Sequence, residues 1–377
     1  MLLSHWEYES FFKSLDIVVL GSGIVGLSAA ISLKEKHPNL NVAVVERSFL
    51  PYGASTRNAG FACFGSISEL SDDLEHSSES EVLAVAELRF RGLKKLRRRL
   101  GDKAIQYQEL GGMEIFRSAD KKEFEKYADS IPYFNELFSE ITGKADTYRL
   151  LDQQAGTRFG FRQVDQIILN TAEGQIDTGE MMKSLLTMAQ RLGVLFFNGL
   201  NIESVEDNGK SVSLNTDMGW SFSTPRLLVC TNGFASKLFP ELDVLPARNQ
   251  VMITAPVKNL QVRGCFHYDR GYFYFRNVGD RILVGGGRHL DFGTEQTSEF
   301  GSTPVIQEAL TSLLSDVILP NQQFEIERSW SGIMGLGKVK KPIIKKITPN
   351  ITVAVRMGGM GIAIGSIVGE LGAEMAL

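Results

Sequence analysis

An apolar strand that runs directly into a G-x-G-x-x-G turn constrains the fold of this chain more than any other feature. Residues 16–20 form the strand, and the glycines that follow are Gly21, Gly23 and Gly26. The first glycine lets the chain leave the strand sharply, the second lets the backbone approach a pyrophosphate, and the third lets a helix pack closely on the sheet. The remaining residues of the turn, Ser22, Ile24 and Val25, bring unpaired amides to a helix N-terminus, where a diphosphate binds.

The residues after this turn complete a β-α-β unit. Apolar residues recur at helical spacing from Ile24 to Ile31, and Pro38 ends the helix. The second strand closes on Glu46 and is followed by Arg47. A carboxylate at this point accepts hydrogen bonds from ribose hydroxyls and repels a 2′-phosphate. The sequence therefore predicts a dinucleotide-binding unit.

The composition excludes several other classes of protein. With 377 residues, of which 43% are hydrophobic and 22% charged, the chain is long enough for two domains with ordinary cores. A net charge of −4 argues against nucleic acid as the main partner. The N-terminus lacks the pattern of a secretory signal and no apolar stretch reaches the length of a membrane span, so we expect a cytoplasmic protein. The cysteines and histidines are dispersed and predict no metal site, and we expect His267 and His289 to be structural or exposed.

One basic run, at residues 94–99, departs from this acidic balance. Leu83, Phe90, Leu93 and Leu100 mark an apolar face of the same predicted helix. Basic residues on such a helix usually form its solvated face. We therefore expect these basic residues to lie on the solvent-exposed face of the helix.

Beyond the first unit, helical and strand patterns alternate. Residues 50–65 are small and polar with several glycines, and they predict a loop that wraps a ligand. Residues 80–145 predict helices interrupted by one short strand. A second α/β stretch begins at a capping box of Asp177 and Glu180, and its last strand runs into a second glycine turn, Thr231-Asn232-Gly233.

The last third of the chain predicts a β-rich region and then a return to the first pattern. Residues 244–300 predict strands, followed by a helix with Thr303 at its N-cap and Pro304 at its first position. Residues 351–377 predict a third strand, glycine turn and helix. Three such junctions, far apart in the sequence, predict one nucleotide domain built from distant segments. We expect an α/β fold in which residues 1–75, 166–240 and 328–377 form this domain and residues 76–165 and 241–327 form a substrate domain.

The ordered set of motifs resembles the family of flavin-dependent amine and D-amino-acid oxidases, which includes glycine oxidase, sarcosine oxidase and γ-glutamylputrescine oxidase. The resemblance covers nearly the whole chain. The matching segments, in family order, are Gly21 to Gly26 with Glu46, residues 53–60, residues 229–233, residues 248–250, residues 282–286, Trp330-Ser-Gly332 and Gly358 to Gly361.

This resemblance implies a fold and a cofactor. The fold is α/β, with an FAD-binding Rossmann-like domain of the glutathione-reductase type and an interleaved, mostly antiparallel β-sheet substrate domain. FAD is implied to place its ribose at Glu46, its adenine near Ile202 and the pyrimidine end of its ring over the C-terminal glycine turn, where a helix N-terminus stabilises negative charge. The residues implied to contact FAD are Gly21, Ser22, Gly23, Ile24, Val25, Gly26, Glu46, Arg47, Ser55, Thr56, Arg57, Asn58, Ala59, Gly60, Phe61, Ile202, Thr231, Asn232, Gly233, Trp330, Gly332, Gly358, Gly359, Met360, Gly361 and Ile362.

The resemblance also implies the chemistry, in which an amine carbon loses a hydride to FAD and the resulting imine is hydrolysed. In the amino-acid oxidases of this family, an arginine shortly after the Trp-x-Gly element pairs with the substrate carboxylate. Met334 stands at that point here, so we expect an amine substrate and not a free α-amino acid. A lysine credited with dioxygen activation is absent from residues 281–285, which leaves dioxygen and another electron acceptor both open.

The sequence assigns no catalytic group with certainty, but it suggests a substrate pocket. Tyr272 and Tyr274 share one strand face. Two alternatives stay open: an amino-acid or modified-nucleotide oxidase, and an FAD-stabilised binding or assembly subunit without turnover of its own. The pocket candidates are Cys63, Tyr272, Tyr274, Arg276, Met334 and Met360.

Overall fold

A computed structural model describes residues 3–377 of the chain. The helices are α1 (His5–Glu7), α2 (Ile24–Lys36), α3 (Ile67–His76), α4 (Glu79–Leu100), α5 (Lys121–Asp129), α6 (Ile131–Thr142), α7 (Ala155–Arg158), α8 (Thr178–Arg191), α9 (Phe292–Glu295), α10 (Pro304–Leu313) and α11 (Gly361–Ala376). Short 3₁₀ or π turns cover Tyr8–Phe12, Ala54–Thr56, Ser118–Asp120, Asn232–Lys237, Arg288–Asp291 and Leu314–Ile318. The strands are β1 (Ile17–Leu20), β2 (Val42–Glu46), β3 (Phe61–Ala62), β4 (Gly112–Arg117), β5 (Tyr148–Leu150), β6 (Val164–Asn170), β7 (Gly174–Gln175), β8 (Leu195–Asn198), β9 (Ile202–Asp207), β10 (Val212–Thr216), β11 (Ser221–Thr224), β12 (Arg226–Val229), β13 (Leu245–Thr254), β14 (Cys265–Tyr268), β15 (Phe273–Val278), β16 (Arg281–Gly286), β17 (Ile326–Leu336), β18 (Ile343–Lys346) and β19 (Ile351–Val355).

Within residues 3–377, the dinucleotide pattern lies in a six-stranded sheet of order β18-β19-β12-β1-β2-β8. All neighbours run parallel except the edge strand β18, which is antiparallel to β19. The strands β1, β2 and β19 are buried along their whole length, as expected for a parallel sheet that is covered on both faces. Because β1 lies between β2 and β12, with β19 next to β12, the three predicted junctions meet at one edge of this sheet. The predicted α/β fold is confirmed.

The β-rich part of the same described range forms an eight-stranded sheet of order β17-β13-β16-β15-β14-β4-β6-β5. Its pairings are antiparallel except the one between β14 and β4. Ile306 and Leu310 of α10 pack in one core with Phe266 and Phe275 of this sheet. The other side of the sheet is therefore free to face the six-stranded sheet across a cavity.

Helix α11 packs unusually close to two other helices. A Cβ atom on Gly369 would lie 2.4 Å from the carbonyl oxygen of Val25 in α2, and a Cβ atom on Gly92 of α4 would lie 2.1 Å from that of Ala363. Only glycine permits this approach between backbones. The N-termini of α2 and α11 are thereby held next to each other.

The basic run at residues 94–99 differs from the prediction. Lys95 Nζ lies 2.7 Å from Glu370 Oε2 of α11, and Arg99 Nη2 lies 2.9 Å from Glu35 Oε2 of α2. The side chain of Arg99 is only 5% exposed. These two ion pairs join α4 to α11 and α2, so the prediction of a solvated face is wrong for Lys95 and Arg99. The sequence could not show that acidic residues of α2 and α11 lie opposite this face.

The predicted start of α10 is confirmed in position, but its cap differs. Pro304 is the first helical residue and Thr303 the N-cap, yet no hydrogen bond joins the Thr303 side chain to the helix. The hydroxyl of Thr303 donates to Glu295 Oε1 at 3.1 Å and accepts from Gln250 Nε2 at 2.8 Å. Glu295 also accepts two bonds from Arg248, at 2.8 and 2.9 Å. The Thr303 hydroxyl is engaged by these buried side chains and is therefore not available to cap the helix.

The boundaries of the two predicted domains stay a prediction. The strands β6 and β17 begin at Val164 and Ile326, inside the eight-stranded sheet. Leu93 and Leu96 of α4 share the core of α2 and α11. The first two residues of the predicted segment 1–75 lie outside the described residues. Among residues 3–377, no helix has both the length and the apolar character that crossing a membrane requires.

Candidate cofactor and substrate site

A cavity of about 880 Å³ lies between the six-stranded and eight-stranded sheets. Its wall is built at the ends of β1, β2 and β12, by the loop before β3, and by one face of the eight-stranded sheet. The predicted residues that line it are Gly21, Gly23, Ile24, Val25, Glu46, Arg47, Ser55, Arg57, Asn58, Ala59, Phe61, Cys63, Ile202, Thr231, Asn232, Tyr272, Tyr274, Gly332, Met334, Gly358, Gly359, Met360, Gly361 and Ile362.

The remaining predicted residues lie behind the wall. They are Ser22, Gly26, Thr56, Gly60, Gly233, Arg276 and Trp330. A Cβ atom on Gly26 would lie 1.9 Å from the Gly21 carbonyl oxygen, so this glycine serves packing between helix and strand. The indole of Trp330 donates to the Arg57 carbonyl oxygen at 3.0 Å. This bond fixes the loop at residues 54–61 on its side away from the cavity.

Two more of these residues likewise support the loops of the wall. The hydroxyl of Thr56 donates to the carbonyl oxygen of Pro51 at 2.6 Å. A Cβ atom on Gly233 would lie 2.4 Å from the carbonyl oxygen of Met334. Both contacts hold backbone that itself lines the cavity or borders it.

Arg276 does not reach the cavity. Its Nη1 donates to the carbonyl oxygens of Gly60 and Ile176, at 3.2 and 2.8 Å. The side chain is buried, and burial lowers the pKa of its guanidinium. The placement of Arg276 in the substrate pocket is therefore corrected: this arginine braces the loop around Gly60 from the side away from the cavity.

Glu46 organises the glycine turn at the first junction. Its Oε2 accepts from the backbone N–H and the hydroxyl of Ser22, at 3.1 and 2.8 Å, and its Oε1 accepts from the N–H of Ser48 at 3.1 Å. A carboxylate offers about four acceptor positions, so capacity remains toward the cavity. At the start of α2, the Ile24 N–H donates to Ser55 Oγ at 2.9 Å. The turn is preformed, with helix amides and a carboxylate facing one space.

The third junction brings a second helix N-terminus to the cavity. Gly358 and Gly359 have φ angles of 58° and 82°, and α11 begins at Gly361 without a side-chain cap. Asn232 Oδ1 accepts from the backbone N–H groups of Arg356 and Met357, each at 3.1 Å, and thus ties the second junction to the third. Uncapped amides at a helix N-terminus favour an anionic group.

Three polar atoms of the wall are buried without a hydrogen-bond partner among the described residues. They are Thr231 Oγ1, Asn249 Oδ1 and His267 Nε2. These atoms are shielded even from the empty cavity, so they lie within the packing of the wall and are not the groups that a ligand reaches directly. The combination of helix amides, a carboxylate and apolar walls matches the anionic, hydroxylated and planar parts of FAD.

One face of the eight-stranded sheet carries the polar side chains of the cavity. Tyr274 of β15 lies flat over Gly285, where a Cβ atom would be 2.7 Å from its hydroxyl oxygen. Asn249 Nδ2 donates to that hydroxyl at 3.0 Å, and the ring centroids of Tyr274 and Phe61 are 5.5 Å apart. Burial raises the pKa of Tyr274 well above its ordinary value, so the hydroxyl keeps its proton.

His267 is a functional candidate that the sequence did not identify. The expectation that it is structural or exposed is wrong in its second half, because it lines the cavity and its Nε2 is shielded from solvent. Burial lowers the pKa of His267 to about 4, against the opposing effect of Glu69, so the imidazole is neutral. His267 pairs with Tyr274 across β14 and β15, but β14 has only four residues and its burial does not alternate, so the sequence carries no signal for it. His289 is partly buried and lies 3.2 Å from Asp269 Oδ2.

Cys63 lies in the wall next to His267 and the buried Glu173. One ligand atom from each of these three residues lies within 4.8 Å of the others. Glu173 Oε1 accepts from the N–H groups of Phe64 and Gly65, at 2.6 and 2.9 Å, and burial raises its pKa to about 7. Burial also raises the pKa of the Cys63 thiol. A metal ion here would have to displace a proton from a thiol that holds it firmly.

Comparison with known proteins agrees with this geometry. The chain matches the model of the DAO family, described as FAD dependent oxidoreductase, over residues 16–375. The bifunctional protein ThiO/ThiG of Synechocystis sp. is 22% identical over 242 residues, which span 63% of this chain and 32% of that protein. This chain thus covers about a third of the length of that relative.

Solved structures share the fold over nearly the full length. Glycine oxidase from Geobacillus kaustophilus superposes with a TM-score of 0.74 and 18% identity, covering 96% of this chain and 94% of the other. L-proline dehydrogenase from P. horikoshii gives a TM-score of 0.73 and 19% identity, covering 96% and 92%. At such identities these likenesses establish the fold alone. Because the family model extends over almost all of its residues, the chain belongs to the DAO family of FAD-dependent oxidoreductases and is an enzyme that uses FAD.

Proposed function

We propose that this enzyme oxidises a primary or secondary amine at a C–N bond and does not act on free α-amino acids. The substrate carbon loses a hydride, the nitrogen lone pair forms the C=N bond, and water converts the imine to a carbonyl compound and ammonia or a smaller amine. FAD, when bound, supplies the two-electron acceptor for this reaction. The observation that carries the proposal is Met334, an uncharged side chain in the cavity wall where the resemblance places a carboxylate-binding arginine.

Two of the arginines that could replace it are held elsewhere. Arg57 Nη1 donates to a backbone carbonyl of β17 at 2.9 Å, and its guanidinium lies 3.9 Å from the centroid of the Tyr52 ring. Arg276 is bound to two backbone carbonyls behind the wall. An α-carboxylate beside Met334 would be buried without a cation, and an uncompensated buried charge costs several kcal/mol.

The residues proposed to hold FAD lie at the first and third junctions. The amides at the start of α2 suit its diphosphate, and the free capacity of Glu46 suits its ribose hydroxyls. The N-terminus of α11 suits the part of the ring that becomes negative on reduction. Asn232 supports this assignment because it fixes the backbone just before the C-terminal glycine turn.

His267 and Tyr274 are proposed to orient the substrate nitrogen. The imidazole of His267 is neutral and its Nε2 is shielded even from the empty cavity, so we assign the hydrogen bond from an amine N–H to Nδ1, which forms none with the described residues. The Tyr274 hydroxyl keeps its proton and is fixed by Asn249, so it can donate to the nitrogen lone pair or to the substrate. A neutral polar pair of this kind neither repels the protonated amine nor requires a counter-ion.

The electron acceptor, whether dioxygen or another oxidant, stays open in this proposal, as does the cytoplasmic location. The structurally similar proteins are named glycine oxidase and L-proline dehydrogenase, so an oxidase and a dehydrogenase share this fold. The alternative of a modified-nucleotide oxidase loses support because Lys95 and Arg99 of the basic run are paired with Glu370 and Glu35.

The test is anaerobic mixing of the purified flavoprotein with a panel of amines and amino acids while the flavin absorbance is followed. We expect primary or secondary amines to bleach the flavin and free α-amino acids to do so more slowly. The Tyr274→Phe variant should retain FAD and lose rate with the same amines. Faster bleaching by glycine, sarcosine or a D-amino acid would refute the assignment. If no small molecule reduces the flavin, the result would favour the alternative hypothesis of an FAD-stabilised subunit without turnover of its own.

A further inference from the structure

Arg288 is a charged residue of the cavity wall whose guanidinium has no polar partner. It begins the turn Arg288–Asp291 that follows β16. Among residues 3–377, no side chain or backbone carbonyl forms a hydrogen bond or an ion pair with it, and its guanidinium lies 4.9 Å from the centroid of the Phe292 ring. Burial lowers the pKa of this guanidinium, which remains charged at neutral pH. A partly buried, unpaired cation is unfavourable unless a ligand supplies the opposite charge.

The acids near Arg288 are already engaged. Asp269 is shared by His289, at 3.2 Å, and Arg270, at 3.6 Å. Asp291 Oδ1 accepts from the N–H of Thr294 at 3.1 Å. No internal counter-ion is therefore available on the turn itself or on the loop opposite.

Two acids on α3, Glu69 and Asp72, line the same cavity. Glu69 Oε1 lies 3.4 Å from Arg89 Nη1 and 3.9 Å from Lys340 Nζ. Neither acid forms an ion pair with Arg288 in the described part of the chain. The positive charge of Arg288 is thus open to a ligand, whereas Arg270 in the same wall is paired with Asp269.

We infer that the substrate carries a carboxylate that is separated from the reacting C–N bond and is held by Arg288. This inference rests on the proposed amine oxidation and specifies the substrate class as amines with a terminal carboxylate. Guanidinium and carboxylate groups form two parallel hydrogen bonds, which give both affinity and orientation.

The sheet register sets the separation. His267, Tyr274 and Gly285 are directly paired across β14, β15 and β16, so the proposed nitrogen-orienting residues share one row with Gly285. Gly287 N–H donates to the carbonyl oxygen of Tyr272 at 2.8 Å, so Gly287 lies opposite Tyr272, two residues or about 7 Å along β15 from Tyr274. Arg288 follows Gly287 after β16 has ended, and its guanidinium lies beside Phe292, on the Tyr272 side of this row. An α-carboxylate lies next to the nitrogen and cannot span this distance, whereas a carboxylate at the end of a short chain can.

The experiment compares two series of compounds on the holoenzyme. Glycine, β-alanine, 4-aminobutyrate and 5-aminopentanoate form one series, and alkylamines of matching length form the other. We expect anaerobic flavin reduction to saturate at lower concentration with the longer amino carboxylates than with the matching alkylamines. Arg288→Gln should raise the half-saturating concentration of these carboxylates tenfold or more, change that of the alkylamines less than twofold, and preserve the limiting rate. Arg288→Lys should restore part of the affinity.

The control variant is Arg328→Gln, at an arginine of β17 that is 78% exposed and lies outside the cavity. It should affect neither series. Equal losses for carboxylates and alkylamines in Arg288→Gln, or a wild-type preference for glycine over the longer members, would overturn the inference.

A second measurement separates this inference from the proposed function. Butanoate and glutarate carry no amine, so their binding is followed by the change in the flavin spectrum without any turnover. Binding to the wild type that is lost in Arg288→Gln supports the carboxylate site even if no amine reduces the flavin. Amine oxidation without any effect of these anions would leave the proposed function intact and would exclude the carboxylate site.

Discussion

Glu46→Gln tests how the first junction holds the cofactor. The carboxylate accepts three hydrogen bonds from the protein, two from Ser22 and one from Ser48. Glutamine replaces one oxygen by an NH₂ group, which cannot accept from the N–H that faces it. The remaining neutral oxygen also binds ribose hydroxyls more weakly than a carboxylate does.

The expected loss follows from the value of such bonds. A hydrogen bond to a charged acceptor is worth about 1.5–3 kcal/mol, which corresponds to a Kd for FAD about 10- to 150-fold higher. The assay is titration of the apoprotein with FAD, followed by quenching of flavin fluorescence. Thermal unfolding of both apoproteins shows whether the variant still folds.

A matched control is available at the same end of the cavity. Glu203 also lines the wall, is exposed and has no hydrogen bond or ion pair among the described residues. Glu203→Gln should therefore leave the Kd for FAD unchanged. A Kd of Glu46→Gln within twofold of the wild type, or an equal loss in both variants, would remove Glu46 from the cofactor site.

Three further predictions concern packing, pH and thiol reactivity. Gly369→Ala should lower the free energy of unfolding by about 1–3 kcal/mol, because the added methyl group overpacks the contact with α2. The control Gly179→Ala, where the only atom near the added methyl group is a side-chain oxygen of Asp177 at 3.3 Å, should not lower it, and urea unfolding measures both. Burial raises the pKa of Glu114 from 4.5 to about 7, so the folded protein keeps a proton that the unfolded chain loses, and stability falls as the pH rises through this window. Relative to the wild type, Glu114→Gln should raise the free energy of unfolding by about 3 kcal/mol at pH 8, where the buried carboxylate is destabilising, and should leave it unchanged at pH 4. Urea unfolding of both proteins at the two pH values measures this difference. A thiol reagent should label Cys63 and Cys230 slowly in the native protein and at once in urea, because burial raises the pKa of both thiols; rapid native labelling would contradict this.

The local patterns that the sequence could predict are those set by backbone requirements. The strand, glycine turn and acid from residue 17 to Glu46 follow from what a dinucleotide demands of the main chain, and the structure contains them as expected. Half of the predicted capping box is present: Asp177 Oδ1 accepts from the Glu180 N–H at 2.8 Å, but the Asp177 N–H donates to the carbonyl oxygen of Ile105 at 2.9 Å and not to Glu180. Such features depend on neighbours in the sequence.

The residues that the sequence could not place depend on distant partners. His267 lies on β14, a four-residue strand whose pattern is too short to predict, and only its pairing with β15 turns it toward the cavity. Arg276 resembled a pocket residue, yet two carbonyls brought in by other segments hold it behind the wall. Lys95 was expected in solvent but faces Glu370, which follows it by nearly three hundred residues. Charge and spacing alone do not contain this information.

The close packing of α11 against α2 also determines when, during synthesis of the chain, the binding site can form. The glycine turn that begins α2 leaves the ribosome early, whereas residues 351–376 follow after nearly all other elements have been made. Until then β12 lacks its neighbour β19, and the side of α2 that receives Gly369 stays exposed. The nascent chain therefore carries half of a cofactor site and an uncovered apolar helix through most of translation. The two helix N-termini that face the cavity are therefore present together only after α11 has packed against α2.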